Sequence, residues 1–327
     1  MLQIRAATVL ILGFLSALPT CAQLNNCQYR TVTVSVSTPD GSPVPPLESA
    51  NFTGIYGKTP IHVTSAVMNR EPVRVVLLLD ISGSMNSTGT GFVGKFSVDL
   101  AEHFASNMPP ETAIGLGFFY SELIPVLRPT TDRKSLLDQL EGLRSHPASL
   151  KGRTAIWDAV LGSVKMFDHP HLGDVIYVIS DGGDNASKIT VNHVVQTLGE
   201  SGIRLSAFLF QAMPAIRRTA EEELGPPSVD EMARDTGGTI LTQTTQSIGV
   251  LKISGEPTLF EKSGKLTPFG SNLISQYKQI GYFYRIDFDL QETIKKPARL
   301  KLELVGLEKS QRDKIALTYP RVLPACH

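Results

Sequence analysis

Val73-Arg-Val-Val-Leu-Leu-Leu-Asp80 runs directly into Ile81-Ser-Gly-Ser-Met85. An almost unbroken apolar run of this length marks a strand covered on both faces, the situation of a central strand in a parallel sheet. The run ends on a carboxylate followed by small hydroxyl-bearing residues, so a D-x-S-x-S arrangement (Asp80, Ser82, Ser84) stands at the carboxyl end of that strand. Ligands of doubly wound sheets collect at such ends.

Outward from this strand, the pattern alternates. Phe92, Phe96, Leu100, Phe104 and Met108 recur every fourth residue, predicting a helix that Pro109-Pro110 stops. Ala113–Tyr120 reads as the next strand and Leu123–Leu127 as an antiparallel edge. Asp132 caps a helix carrying Leu136, Leu137, Leu140 and Leu143, and Thr154–Phe167 reads as another helix with Thr154 at its start. Strand Val175–Ser180, helix Val191–Leu198 and strand Arg204–Phe210 follow. A helix broken at Gly225-Pro226-Pro227 and a last strand near Thr239–Leu241 complete the series. Strands separated by helices specify a doubly wound, mostly parallel α/β sheet.

The two ends differ. Thr31–Ser37 alternates strictly, with Asp40-Gly41 as its turn; Arg285–Leu290 and Leu300–Leu304 alternate likewise. Such strands have one wet face and belong to antiparallel sheets. Residues 28–66 and 282–322 are therefore expected to build one small antiparallel β-domain from both termini, with Asn272–Gln279 as a helix leading back to it. The expected division is 1–22 as a signal peptide, 23–71 as N-terminal strands, 72–253 as the α/β domain and 254–327 as a C-terminal helix and strands.

The chain of 327 residues carries 31 Lys and Arg against 31 Asp and Glu, a net charge of zero. That balance argues against a general nucleic-acid binder, which needs a basic face. Ala6–Leu18 is a short apolar run after a charged start, with Thr20-Cys21-Ala22 at its exit, the form of a secretory signal. Export makes the protein secreted or periplasmic; the lipoprotein alternative, with Cys21 as acceptor, fits less well because Pro19 and Thr20 precede it. After cleavage Cys27 and Cys326 remain, one at each end, and in an oxidising compartment they suggest a bridge.

Three stretches bear oxygen ligands: Asp80-x-Ser82-x-Ser84, Thr154 in Gly152–Ala159, and Asp181 at the end of the strand VIYVIS. Two carboxylates and three hydroxyls, with no thiol or imidazole, suit a hard cation such as Mg2+. These residues, in this order and strand context, resemble the metal-ion-dependent adhesion site of von Willebrand factor type A domains. The resemblance implies that Ser82, Ser84 and Thr154 hold the ion and that Asp80 and Asp181 act largely through waters. It also implies an open position for a partner protein's Asp or Glu, with Mn2+ or Ca2+ as alternative ions. Asp158 and Asp184 are candidates to orient or tune this shell, and the polar loop Asp184-Asn185 has a plain structural reading beside that one. A narrower likeness, carried by Asp40–Val44, Glu231–Gly238 and the tail strands, is to exported "VWFA-related" proteins of Acidobacteria, although Asn51-Phe52 stands where those carry D-F.

The resulting expectation is a secreted adhesion or interaction module rather than an enzyme. A structural envelope protein with a stabilising ion is the alternative, and a metal-assisted hydrolase a more distant one. The chain carries no H-E-x-x-H, G-x-S-x-G or P-loop sequence. His169 and His171 lack Cys or Glu at zinc-ligand spacing.

Overall fold

The computed structural model describes residues 28–38, 44–86, 92–145, 152–211, 220–244, 267–290 and 295–325. The signal segment, the Asp40-Gly41 turn, Cys27 and Cys326 lie outside those residues. Among the described residues no helix is long and apolar enough to cross a membrane.

Strand β4 (Arg74–Asp80) lies inside a six-stranded sheet with β5 (Ala113–Phe119), β6 (Leu123–Thr130), β7 (Val175–Ser180), β8 (Arg204–Gln211) and β9 (Ile240–Thr244). Their order is β6-β5-β4-β7-β8-β9. All neighbours are parallel except β5 and β6, which pair antiparallel at the edge. Pro125 and Pro129 within β6 remove donors from that edge, which keeps it from recruiting another strand.

The continuous apolar run of β4 has two buried faces because each receives its own helices. Val75, Leu77 and Leu79 meet residues of α1 (Phe92–Asn107), α2 (Arg133–Ser145) and α6 (Pro268–Gly281). Val76 and Leu78 meet α3 (Ile156–Ser163), α4 (Val191–Ser201) and α5 (Ala220–Thr236). Trp157 of α3 is buried in the second layer. At about 25 cal/mol per Å² of apolar area, these two layers supply most of the driving force for folding. Asp132 accepts hydrogen bonds from the backbone and hydroxyl of Ser135, capping α2.

Two helices depart from the sequence reading. Thr154 does not open α3, which starts at Ile156 after Ala155. Its backbone is spent elsewhere: its N–H donates to Asn185 Oδ1 at 2.9 Å and its carbonyl accepts from the amides of Asn185 and Ala186, both at 2.9 Å. Nor does Gly225-Pro226-Pro227 break α5, which is continuous from Ala220 to Thr236. Burial of Val229, Met232 and Ala233 outweighs the two donors the prolines lack, and the Ser228 hydroxyl donates to Leu224 O at 2.7 Å.

Strands from both ends of the chain meet in a second sheet. Its order is β12-β1-β10-β3-β2-β11-β13 and every pairing is antiparallel. It combines β1 (Tyr29–Ser37), β2 (Phe52–Tyr56) and β3 (Thr59–Met68) with β10 (Tyr284–Asp289), β11 (Ala298–Leu304), β12 (Ala316–Thr318) and β13 (Val322–Leu323). A short helix α7 (Lys309–Arg312) lies between β11 and β12. The alternating residues Val32, Val34, Phe52, Tyr56, Ile286, Phe288, Leu300 and Leu302 share one core. Thr33 and Ser35, on the opposite face of β1, are buried too, because that face lies against the end of α6: Ser35 Oγ donates to Gln279 O at 3.0 Å.

Candidate metal centre

The order of the parallel strands creates a crevice. From β4 the chain crosses to β5 on one side, and from β7 it crosses to β8 on the other, so the adjacent carboxyl ends of β4 and β7 form the switch point of the sheet. Asp80 is the last residue of β4 and Asp181 directly follows β7.

Asp80 is 1% exposed. One of its carboxylate oxygens accepts the Ser82 N–H at 2.8 Å and the other accepts the Ser180 hydroxyl at 2.6 Å. These bonds fold Ile81–Ser84 back over the strand end and place the Ser82 and Ser84 hydroxyls 3.0 Å apart. Ser82 is buried, whereas Ser84 is exposed. Asp181 is held by the Gly183 N–H, which donates to its Oδ1 at 3.0 Å. Gly182 adopts φ +82, a backbone that favours glycine, and donates to Ser180 Oγ at 2.9 Å.

Thr154 is buried at the same end of the sheet. Ala155 N donates to Tyr120 O, just beyond β5, while Asn185 ties Thr154 to the loop after Asp181. Asn185 is thus the residue that fixes Thr154. In the sequence it was visible only as part of a polar loop, because its partner lies 31 positions away.

The two acids read as supporting residues are engaged with backbone. Asp158 does not hold Thr154; its carboxylate accepts the amides of Lys188 at 3.0 Å and Ile189 at 3.2 Å. Asp184 accepts the amides of Trp157 and Ser187 and the Ser187 hydroxyl at 2.5 Å. Both carboxylates lock the 184–189 loop onto the start of α3, where they complement the positive end of the helix.

Electrostatics single out Asp80. Burial, then the nearby Asp181 carboxylate, push its pKa up to about 7 against the lowering effect of the Ser180 and Ser82 hydrogen bonds. No cationic side chain is among those influences. A buried carboxylate facing a second one without a compensating cation is an unfavourable arrangement in itself. A bound divalent ion removes the imbalance, and the donor set of carboxylates and hydroxyls is that of a hard, oxygen-seeking cation. The residues present therefore fit such an ion.

Residues 75–183 match the sequence family described as von Willebrand factor type A domain. This segment is a von Willebrand factor type A domain. The match spans β4 through the Asp181–Gly183 turn, and so includes every candidate ligand. None of the curated proteins compared with the chain matches it. Solved structures similar to it include BatB of Bacteroides thetaiotaomicron, 22% identical over 56% of this chain and 97% of that one, TM-score 0.42. Another is an aerotolerance-related membrane protein of Bacteroides fragilis, 20% identical over 64% and 98%, TM-score 0.44. A third is proximal thread matrix protein 1 of the mussel byssus, described with a zinc-occupied MIDAS motif, 14% identical over 58% and 46%, TM-score 0.43.

Replacing Asn185 by Ala should weaken divalent-ion binding about tenfold, the usual effect of losing a residue that orients a metal ligand. Titration calorimetry against wild type is the check. Equal affinity would show that the carbonyl bonds alone fix Thr154.

Proposed function

We propose that this protein is an exported, non-catalytic interaction module that binds a partner protein through a divalent cation, Mg2+ in the first instance. Ser82, Ser84 and Thr154 hold the ion, and Asp80 and Asp181 act through water. Neutral hydroxyl ligands leave the ion electrophilic, so a partner's Asp or Glu completes its shell and balances its charge. The observation that carries this reading is the buried Asp80 carboxylate at the sheet's switch point, near the Asp181 carboxylate and beside the paired Ser82 and Ser84 hydroxyls. Oxygen-rich surroundings favour Mg2+ over softer ions, with Mn2+ or Ca2+ able to substitute.

The proposed organisation follows the same lines: a signal peptide over 1–22, the type A domain over 72–253, and a β-domain assembled from 23–71 and 254–327. Residues adjoining the cysteines support a Cys27–Cys326 bridge, because the Arg30 guanidinium donates to Pro324 O at 3.0 Å. Intact mass after alkylation without reductant should show neither cysteine modified in exported protein. Two added alkyl groups would remove the bridge from the proposal.

The metal reading is tested by titrating the mature protein with Mg2+, Mn2+ and Ca2+, followed by a biosensor assay with an immobilised series of Asp- and Glu-containing peptides. One ion per chain, and peptide retention that chelator abolishes, support the proposal. Ion binding with chelator-insensitive peptide retention would leave a structural ion and favour the envelope-protein reading.

A further inference from the structure

Helix α5 reaches the metal centre from a distance in sequence that no ligand motif covers. Gly225 is buried against the turn that follows Asp181. A methyl group added to Gly225 would stand 2.2 Å from the Gly182 carbonyl oxygen and 3.0 Å from Gly183 Cα. In return, a methyl on Gly182 would stand 3.2 Å from Pro226 Cα. Backbone therefore meets backbone with no side chain between, and the turn involved is the one whose Gly183 N–H holds Asp181 Oδ1.

The far end of α5 is fixed. Gly238 passes so close to β8 that an added methyl would be 1.7 Å from Leu205 O, and Gly237 lies tight against Pro320. Thr236 Oγ1 accepts the Leu205 N–H at 3.0 Å, and Arg321 N donates to Arg234 O at 3.3 Å. Val229, Met232 and Ala233 are buried along the helix between these anchors. Of the two partners at Gly225, the helix is the rigid one and the Gly182-Gly183 turn must yield.

We infer that Gly225-Pro226 of α5 is the positioning element that sets the Asp181 carboxylate for the ion, through direct backbone contact with Gly182-Gly183. The inference rests on the metal reading above. Gly225 touches no ligand; it acts through the turn. A side chain there displaces the Gly182 carbonyl, and with it the Gly183 amide that orients Asp181. A displaced Asp181 carboxylate misplaces the water it holds in the ion's shell, and Mg2+ demands near-ideal octahedral geometry of that shell.

The experiment compares wild type, Gly225→Ala and Glu223→Ala, the last an exposed position on the same helix. Mg2+ affinity is read by calorimetry, and amide exchange of Gly183 is read by NMR without metal. Gly225→Ala should weaken Mg2+ at least tenfold and lose Gly183 protection while keeping its far-ultraviolet dichroism; Glu223→Ala should match wild type in both. A purely structural role would lower the metal-free melting temperature but leave the affinity of the folded protein and the Gly183 exchange unchanged, which overturns the inference. A wild type that takes up no ion overturns the metal reading and this inference with it. Equal Mg2+ affinity in wild type and Gly225→Ala overturns this inference alone. If Gly225→Ala does not fold, Pro226→Ala decides: it removes ring atoms from the wall against Gly182 without adding bulk. Several-fold weaker Mg2+ binding by that variant supports the inference and unchanged binding overturns it.

Discussion

Asp80→Asn should abolish Mg2+ binding and, in the absence of metal at pH 8, make the protein more stable than wild type. Asparagine keeps an oxygen to accept the Ser82 N–H while removing the charge, whereas alanine would leave both Ser82 N–H and the Ser180 hydroxyl without their acceptor. The sign follows from linkage. The folded-state pKa of Asp80 is raised from 3.8 to about 7, so between those values the folded protein holds more protons than the unfolded chain. Metal-free wild type therefore loses stability as pH rises from about 4 to 7 and stays penalised above. The Asp80→Asn protein carries no such penalty. At pH 4, close to the unfolded-state value, the two proteins should melt within a degree or two of each other. At pH 8 the variant should melt higher by roughly 5–10 °C, taking a penalty of about 2–4 kcal/mol at 1.4 kcal/mol per pKa unit.

Adding Mg2+ at a hundred times its dissociation constant should stabilise wild type by about 2.7 kcal/mol and leave the variant unchanged. The same proton competes with the ion, so wild-type Mg2+ affinity should fall as pH drops below 7. Thermal scans at pH 4 and 8, with and without Mg2+, settle the matter. A variant that melts below wild type at pH 8 without metal would show that Asp80 has a cationic partner in solution. A variant that still gains stability from Mg2+ would place the ion elsewhere.

What the sequence made legible was local. Val73–Asp80 could be read because burial on both faces leaves a short continuous apolar run bounded by turn residues, and Asp80, Thr154 and Asp181 could be placed at one end of the sheet because each ends a strand, follows one or precedes a helix. Alternation in Thr31–Ser37 and Leu300–Leu304 likewise marked strands that lie in one antiparallel sheet. Residues that act through a distant partner left no such pattern. Asn185 is one polar residue in a polar loop until Thr154 is beside it. Gly225-Pro226-Pro227 carries a helix-breaking composition, and only the approach to Gly182 reveals why a glycine belongs there. Thr33 and Ser35 alternate with valines as wet-face residues should, yet they are buried because a helix end covers that face. Periodicity reports that a face exists but is silent about what covers it.

The joint between the two sheets gives the largest expected effect on stability. Arg204, at the start of β8, is 3% exposed and far in sequence from the groups it binds. Its guanidinium donates to Gly173 O at 3.0 Å, Gln279 O at 3.2 Å and Ile280 O at 2.7 Å, and it lies 4.4 Å from the centre of the Phe283 ring. Gln279 and Ile280 belong to the last turn of α6, whose carbonyls point out of the helix and carry its negative end. One planar fork thus closes α6, fixes the turn before β7 and holds the start of β10 by its ring contact. Burial lowers the Arg204 pKa to about 9, with Asp174 opposing, so the group remains a cation at neutral pH. Arg204→Met keeps the apolar stem but strands three buried carbonyls, which should cost about 3–5 kcal/mol, the range for deleting one side of a buried charge-assisted network. Arg204→Lys should fall between, because a single ammonium cannot span carbonyls on opposite sides of the fork. Denaturant unfolding of the three proteins measures this directly. A loss under about 1 kcal/mol for Arg204→Met would mean that water enters to satisfy the carbonyls, and that the two sheets are joined by apolar contact rather than by this cation.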